Sequence, residues 1–86
     1  MKNVIDSIKI TENLIFNFDI KTAMSMVSKI IEDLILISTK LNDERLNKLM
    51  GIINLINTAL LSKDYLLFND ILEYDLNPFL ELEDNL

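Results

Sequence analysis

The 86-residue sequence has no histidine, cysteine or tryptophan, and only one glycine, one proline and one arginine. Without histidine there is no side chain that titrates near neutrality, and without cysteine there is no thiol nucleophile. The two absences together remove the zinc, haem and iron–sulfur sites built on those ligands. Ser7, Ser25, Ser28, Ser38 and Ser62 have no imidazole to activate them. A single glycine, Gly51, cannot form a phosphate-cradling loop or a dinucleotide fingerprint. The longest uninterrupted apolar runs, Leu34 to Ile37 and Tyr65 to Phe68, are four residues long, far short of the roughly 18 that span a bilayer. Lys2, Asp6, Lys9 and Glu12 interrupt any signal-peptide core at the N-terminus. The expectation is a cytoplasmic protein with no transmembrane segment, no cofactor and no catalytic residues.

Half of the residues are apolar, and the mean hydropathy is +0.27. The scaling of surface with mass leaves about 64% of the chain's surface buried on folding. That is a thin interior for 13 Ile and 16 Leu, and it predicts a single domain, residues 1–86, whose surplus apolar surface meets a partner. The expected assembly is a symmetric homodimer with Ile35, Leu36, Ile52 and Leu55 at the seam.

Apolar residues recur at spacings of three and four nearly throughout, which predicts an all-α fold. The expected architecture is a small antiparallel bundle of four helices near residues 3–17, 20–40, 43–61 and 63–76. It reduces to three helices if residues 3–40 form one continuous rod. An unbroken rod would be about 60 Å long, so a break at Asn17 to Asp19 is the better fit. There Asp19 would serve as N-cap, Asn17 as the left-handed closing residue, and Phe18 with Ala23 as a weak staple. Asn42, flanked by Leu41 and Leu46, reads as the N-cap of the third helix, and Ser62, flanked by Leu61 and Leu66, as that of the fourth. Gly51 is expected to permit close helix approach, and Pro78 to end or kink the fourth helix around Leu76 and Asn77. No internal repeat is evident beyond a weak short, long, long, short symmetry of helix lengths.

Charge is segregated. Residues 1–63 carry seven acids and eight bases, whereas residues 64–86 carry seven acids and no base. No basic footprint is present to displace phosphate counterions, so nucleic acid is not an expected partner. Asp70, Glu73, Tyr74, Asp75, Glu81, Glu83 and Asp84 are the candidate contacts to a protein with a basic surface, the last three in a short acidic tail at about 81–86. The competing reading makes the acidic quarter a solubilising device. Asp70 and Glu73 are spaced to share a cation, but a di-metal bundle draws on histidine, so a carboxylate-based metalloenzyme is the weaker alternative.

The run Asp64 to Leu80, D-Y-L-L-F-N-D-I-L-E-Y-D-L-N-P-F-L, resembles the ending of a group of small, uncharacterised all-helical bacterial proteins with a D-Y, L-E-Y, L-x-P-x-L cadence. The resemblance implies a helical bundle and no known activity. In size and acidity the chain is also similar to bacterial secretion and flagellar export chaperones, which bind other proteins. The functional expectation is a non-catalytic interaction module or small regulatory adaptor, with an export chaperone as the alternative.

Overall fold

The helices stop and start where backbone caps dictate. A computed structural model describes residues 2–84, which form α1 (Lys2–Phe16), α2 (Ile20–Ser38), α3 (Asp43–Leu61), α4 (Tyr65–Ile71), a π-helical segment (Leu72–Leu76) and α5 (Asn77–Asp84). The fold is all-α, with no strand among the described residues. Two compact units share the chain, Met1–Lys40 and Leu41–Leu86.

In the first unit α1 packs on α2. α1 buries Val4, Ser7, Ile8, Thr11 and Ile15, one stripe at helical spacing, against Ala23, Ile30 and Leu34 of α2. The two hydroxyls in that stripe are satisfied locally: Ser7 Oγ donates to the Asn3 carbonyl at 2.9 Å, and Thr11 Oγ1 to the Ser7 carbonyl at 2.8 Å. The break at residues 17–19 is present. Phe18 N–H bonds the Ile15 carbonyl and Asp19 N–H the Leu14 carbonyl, the paired bonds of a Schellman closure. That motif places its left-handed residue one step after the C-cap, so Phe18 (φ 61°), and not Asn17, takes the conformation. Asp19 then caps α2 through Thr22 N–H, and Phe18 is too exposed to staple the buried Ala23.

The second unit repeats this construction. Lys63 N–H bonds the Leu60 carbonyl, Asp64 N–H bonds the Ala59 carbonyl, and Lys63 is left-handed (φ 54°). Asp64 caps α4 through Leu67 N–H at 3.1 Å, while Ser62 closes α3. The cap expected at Ser62 therefore lies two residues later, because the Schellman closure uses Ser62 and Lys63 first. Leu61 and Leu66, the expected staple, are 79% and 78% exposed. Asn42 caps α3 as expected, accepting from Arg45 N–H at 2.9 Å.

Pairing Asp19 with Asp64 aligns the two units residue by residue. Val4, Ser7, Thr11 and Ala23 fall on Leu49, Ile52, Ile56 and Phe68, and all eight are buried. Beyond the π segment the match continues one residue further on: Ile30 and Leu34 fall on Leu76 and Leu80, again all buried. The two hairpins thus share the placement of their caps and part of their burial pattern without sequence identity, with one extra residue in the second at the π segment; Ile8 and Ile15 depart from the pattern, falling on the half-buried Ile53 and Leu60. Asn77 N–H reaches back to the Leu72 carbonyl, the longer bond of that wider turn. Pro78 follows this wider turn, where a regular α-helical turn would press its ring against the preceding carbonyl; the helix does not end at Leu76 but runs on to Asp84, with the π segment as its irregularity. Glu81 to Asp84 are accordingly helical instead of a tail, and residues 85–86 lie outside the described residues.

Gly51 is exposed, and a Cβ built on it meets nothing within 4 Å. Close helix approach is therefore not its role. Gly51→Ala is expected to raise stability by about 1 kcal/mol through the unfolded chain's lost freedom, read as a higher urea midpoint with an unchanged slope.

Candidate binding cleft

A cleft of about 250 Å³ opens in the second unit between the N-terminal half of α3, which supplies Arg45, Lys48 and Ile52, and the π segment with α5. Tyr74 and Asp75 come from the π segment, and Pro78, Phe79 and Leu82 from α5. Asn42 fixes where α3 begins, so Arg45 and Lys48 share one helix face at a spacing of three.

Arg45 is held on two sides. Its Nε pairs with Glu83 Oε1, and its Cζ lies 4.2 Å from the centroid of the Phe79 ring. The side chains of Arg45 and Glu83 are only 18% and 10% exposed. Near the N-terminus of α3 a cation is disfavoured by the helix dipole, and Glu83 compensates it. Arg45 Nη2 is buried without a hydrogen-bond partner. Lys48 is exposed and forms no ion pair with any described residue.

The first unit has a cleft of about 180 Å³ lined by Asn3, Val4, Asp33, Leu36 and Ile37. The hairpin alignment sets Asn3 on Lys48, Asp33 on Phe79 and Leu36 on Leu82, so three of the five residues lining the first cleft correspond to residues lining the second; Val4 and Ile37 fall on Leu49 and Glu83, which do not line it. Only the second has cations and aromatic rings in its lining.

The residues singled out from sequence separate into groups. Tyr74 and Asp75 line the second cleft; Asp70 and Glu73 are exposed and do not line it. Glu81 and Asp84 are exposed on α5, whereas Glu83 turns inward to Arg45 and is not a surface contact. Of the expected seam, Ile35, Leu36 and Leu55 are 59%, 67% and 51% exposed, but Ile52 is buried at 7% and lines the cleft. It belongs to the α3 stripe with Leu49 and Ile56, at spacings of three and four, and therefore faces the interior of its own unit. Sequence reasoning missed Arg45, Lys48, Phe79 and Leu82. The one available signal was the solitary arginine.

Among the described residues, no group of three or more acidic side chains is placed to hold a metal ion, and no helix is long and apolar enough to cross a membrane. No protein-family model matches the chain, and no curated protein or solved structure is significantly similar to it.

Proposed function

We propose that this protein acts by contact, as a small non-catalytic helical module that self-associates as a homodimer and binds a second protein. The observation that carries the reading is Phe18. It occupies a left-handed position that costs a non-glycine residue about 1 kcal/mol, yet its ring is 88% exposed and gains nothing from burial. A bulky apolar residue exposed at such a position without a folding benefit supports a contact role. Phe16 beside it is 80% exposed, and Leu61 and Leu66 flank the equivalent turn of the second hairpin. Ile35 and Leu36 on α2 and Leu55 on α3 supply the remaining apolar contact surface for a second copy.

The second unit holds three bases and nine acids. Asp70 and Glu73, exposed on α4 and the π segment, favour a partner with a basic surface over nucleic acid. A cytoplasmic setting accords with the lack of cysteine.

Phe18→Gly separates function from folding. The variant is expected to unfold several degrees higher, since about 1 kcal/mol corresponds to roughly 4–8 °C in a domain of this size, while its self-association weakens. Light scattering at tens of micromolar reads the second quantity: the wild type should give twice the 10.0 kDa of one chain. A wild-type mass of one chain, or a dimer indifferent to the substitution, would contradict the reading.

A further inference from the structure

We infer that the cleft of the second unit binds an α-amino or α-amido carboxylate with an apolar side chain, either the C-terminal residue of a polypeptide or a free amino acid. The inference does not depend on the exposed apolar turns and concerns a different face of the protein.

Arg45 is preorganised for an anion. Phe79 beneath it and Glu83 on its Nε fix the plane of the guanidinium, so a ligand does not have to order it. Glu83 engages Nε, and Nη2 of this cleft-lining residue is buried without an acceptor. A carboxylate supplies what that nitrogen lacks, in the geometry an arginine fork favours. Lys48, one turn along the same face and unpaired, adds a second positive charge. Asp75 stands on the π segment side of the cleft, and no ion pair joins it to Lys48. Cations on one wall and a carboxylate on the other match a group that carries a carboxylate next to an N–H donor. Leu82, half exposed over the buried Ile52 and Phe79, provides the apolar surface that its side chain would cover. A cleft of about 250 Å³ suits a single residue and not an extended peptide.

The first hairpin provides an internal comparison. Its equivalent cleft has Asn3 in place of Lys48, Asp33 in place of Phe79 and Ile37 in place of Glu83, and its lining includes no cation. The extra residue of the second hairpin lies in the π segment that supplies Tyr74 and Asp75. Single π turns within α-helices are frequent at functional sites. Two independent differences between the repeats, the inserted residue and the charge of the lining, therefore fall at the same cleft.

The test is a nitrogen-15 amide NMR titration of the full chain with three probes: N-acetyl-leucyl-phenylalanine, its C-terminal amide, and free phenylalanine. The expected result is saturable shifts at Arg45, Lys48, Ile52, Asp75 and Phe79 with at least one of the two carboxylates, and affinity at least about tenfold weaker for the amide. Lys48→Met should weaken carboxylate binding by about tenfold or more with the remaining amide positions unchanged. Preference for the acetylated dipeptide identifies a chain end as the ligand, and preference for phenylalanine, with greater sensitivity to Asp75→Asn, identifies the free amino acid. No saturable shift with either carboxylate at millimolar concentration overturns the inference. So does an amide that binds as well as the acid, or shifts centred on Asn3 and Leu36.

Discussion

Phe68→Ala is expected to cost about 3–5 kcal/mol, a large share of the roughly 4–13 kcal/mol available to a chain of this length. Phe68 is the largest of the fully buried side chains and is 1% exposed. Next to each turn one arm of the hairpin carries a large residue and the other a small one: Leu14 with Ala23 in the first unit, and Ala59 with Phe68 in the second. Ala23 and Ala59 are both fully buried. Removing the phenyl ring leaves small residues on both arms, a combination with no counterpart in the other hairpin. Thermal unfolding followed by circular dichroism should show a fall in melting temperature of about 15 °C or more, or a chain largely unfolded at the start. Ala59→Leu on the Phe68→Ala background re-creates the pairing of the first hairpin with the sizes exchanged, and should recover part of the loss. Leu66→Ala, two residues away but 78% exposed, should change stability by less than about 0.5 kcal/mol.

The helical class, the break at Asn17 to Asp19 and the cap at Asn42 were legible because each depends on a few neighbouring residues: an acceptor side chain, the spacing of apolar positions, the length of a helix. Ser62 is not the cap, for a reason of the same scale. Ser62 and Asp64 are both good caps, and the choice between them lies in the Schellman bonds from Lys63 and Asp64 to Leu60 and Ala59, which force Lys63 into a left-handed conformation that lysine does not advertise. The exposure of Leu61 and Leu66 follows from that displacement, since a staple set for a cap at Ser62 is out of phase with one at Asp64. The cleft was less legible. Arg45 and Glu83 are 38 residues apart, and no local pattern connects a residue in the first turn of one helix with a carboxylate in an apparent acidic tail. The repeat was hidden because it is conserved in burial and capping while its residues differ: Ser7 corresponds to Ile52 and Thr11 to Ile56, each polar hydroxyl in the first unit being satisfied by the helix's own backbone.

The π segment yields the second large effect. In the first hairpin the inward row of the second arm is Ala23, Val27, Ile30 and Leu34, with steps of four, three and four; in the second it is Phe68, Leu72, Leu76 and Leu80, with steps of four throughout. Four residues overshoot an α-helical turn by about 40°, so three such steps would carry Leu80 about 120° away from the face that Phe68 occupies. A π turn absorbs the surplus residue and returns Leu76 and Leu80 to the interior, where both are fully buried. Deleting Tyr74, which is 69% exposed, restores the steps of the first hairpin and removes the need for the wider turn. It also leaves Pro78 inside a regular α-helix, where a missing N–H and a ring pressed against the preceding turn cost about 3 kcal/mol. The deletion alone is therefore expected to destabilise the protein by about that amount, and the deletion combined with Pro78→Ala to regain most of it. Helix content measured by circular dichroism should be at least that of the wild type in the double variant. Stability of the single deletion equal to that of the wild type would show that the π segment does not serve to accommodate Pro78. The double variant also separates folding from binding: it turns the second hairpin into a regular one like the first, and in doing so removes Tyr74 from the cleft and shifts Asp75 along the helix, so a chain that folds as well as the wild type should bind carboxylates less tightly.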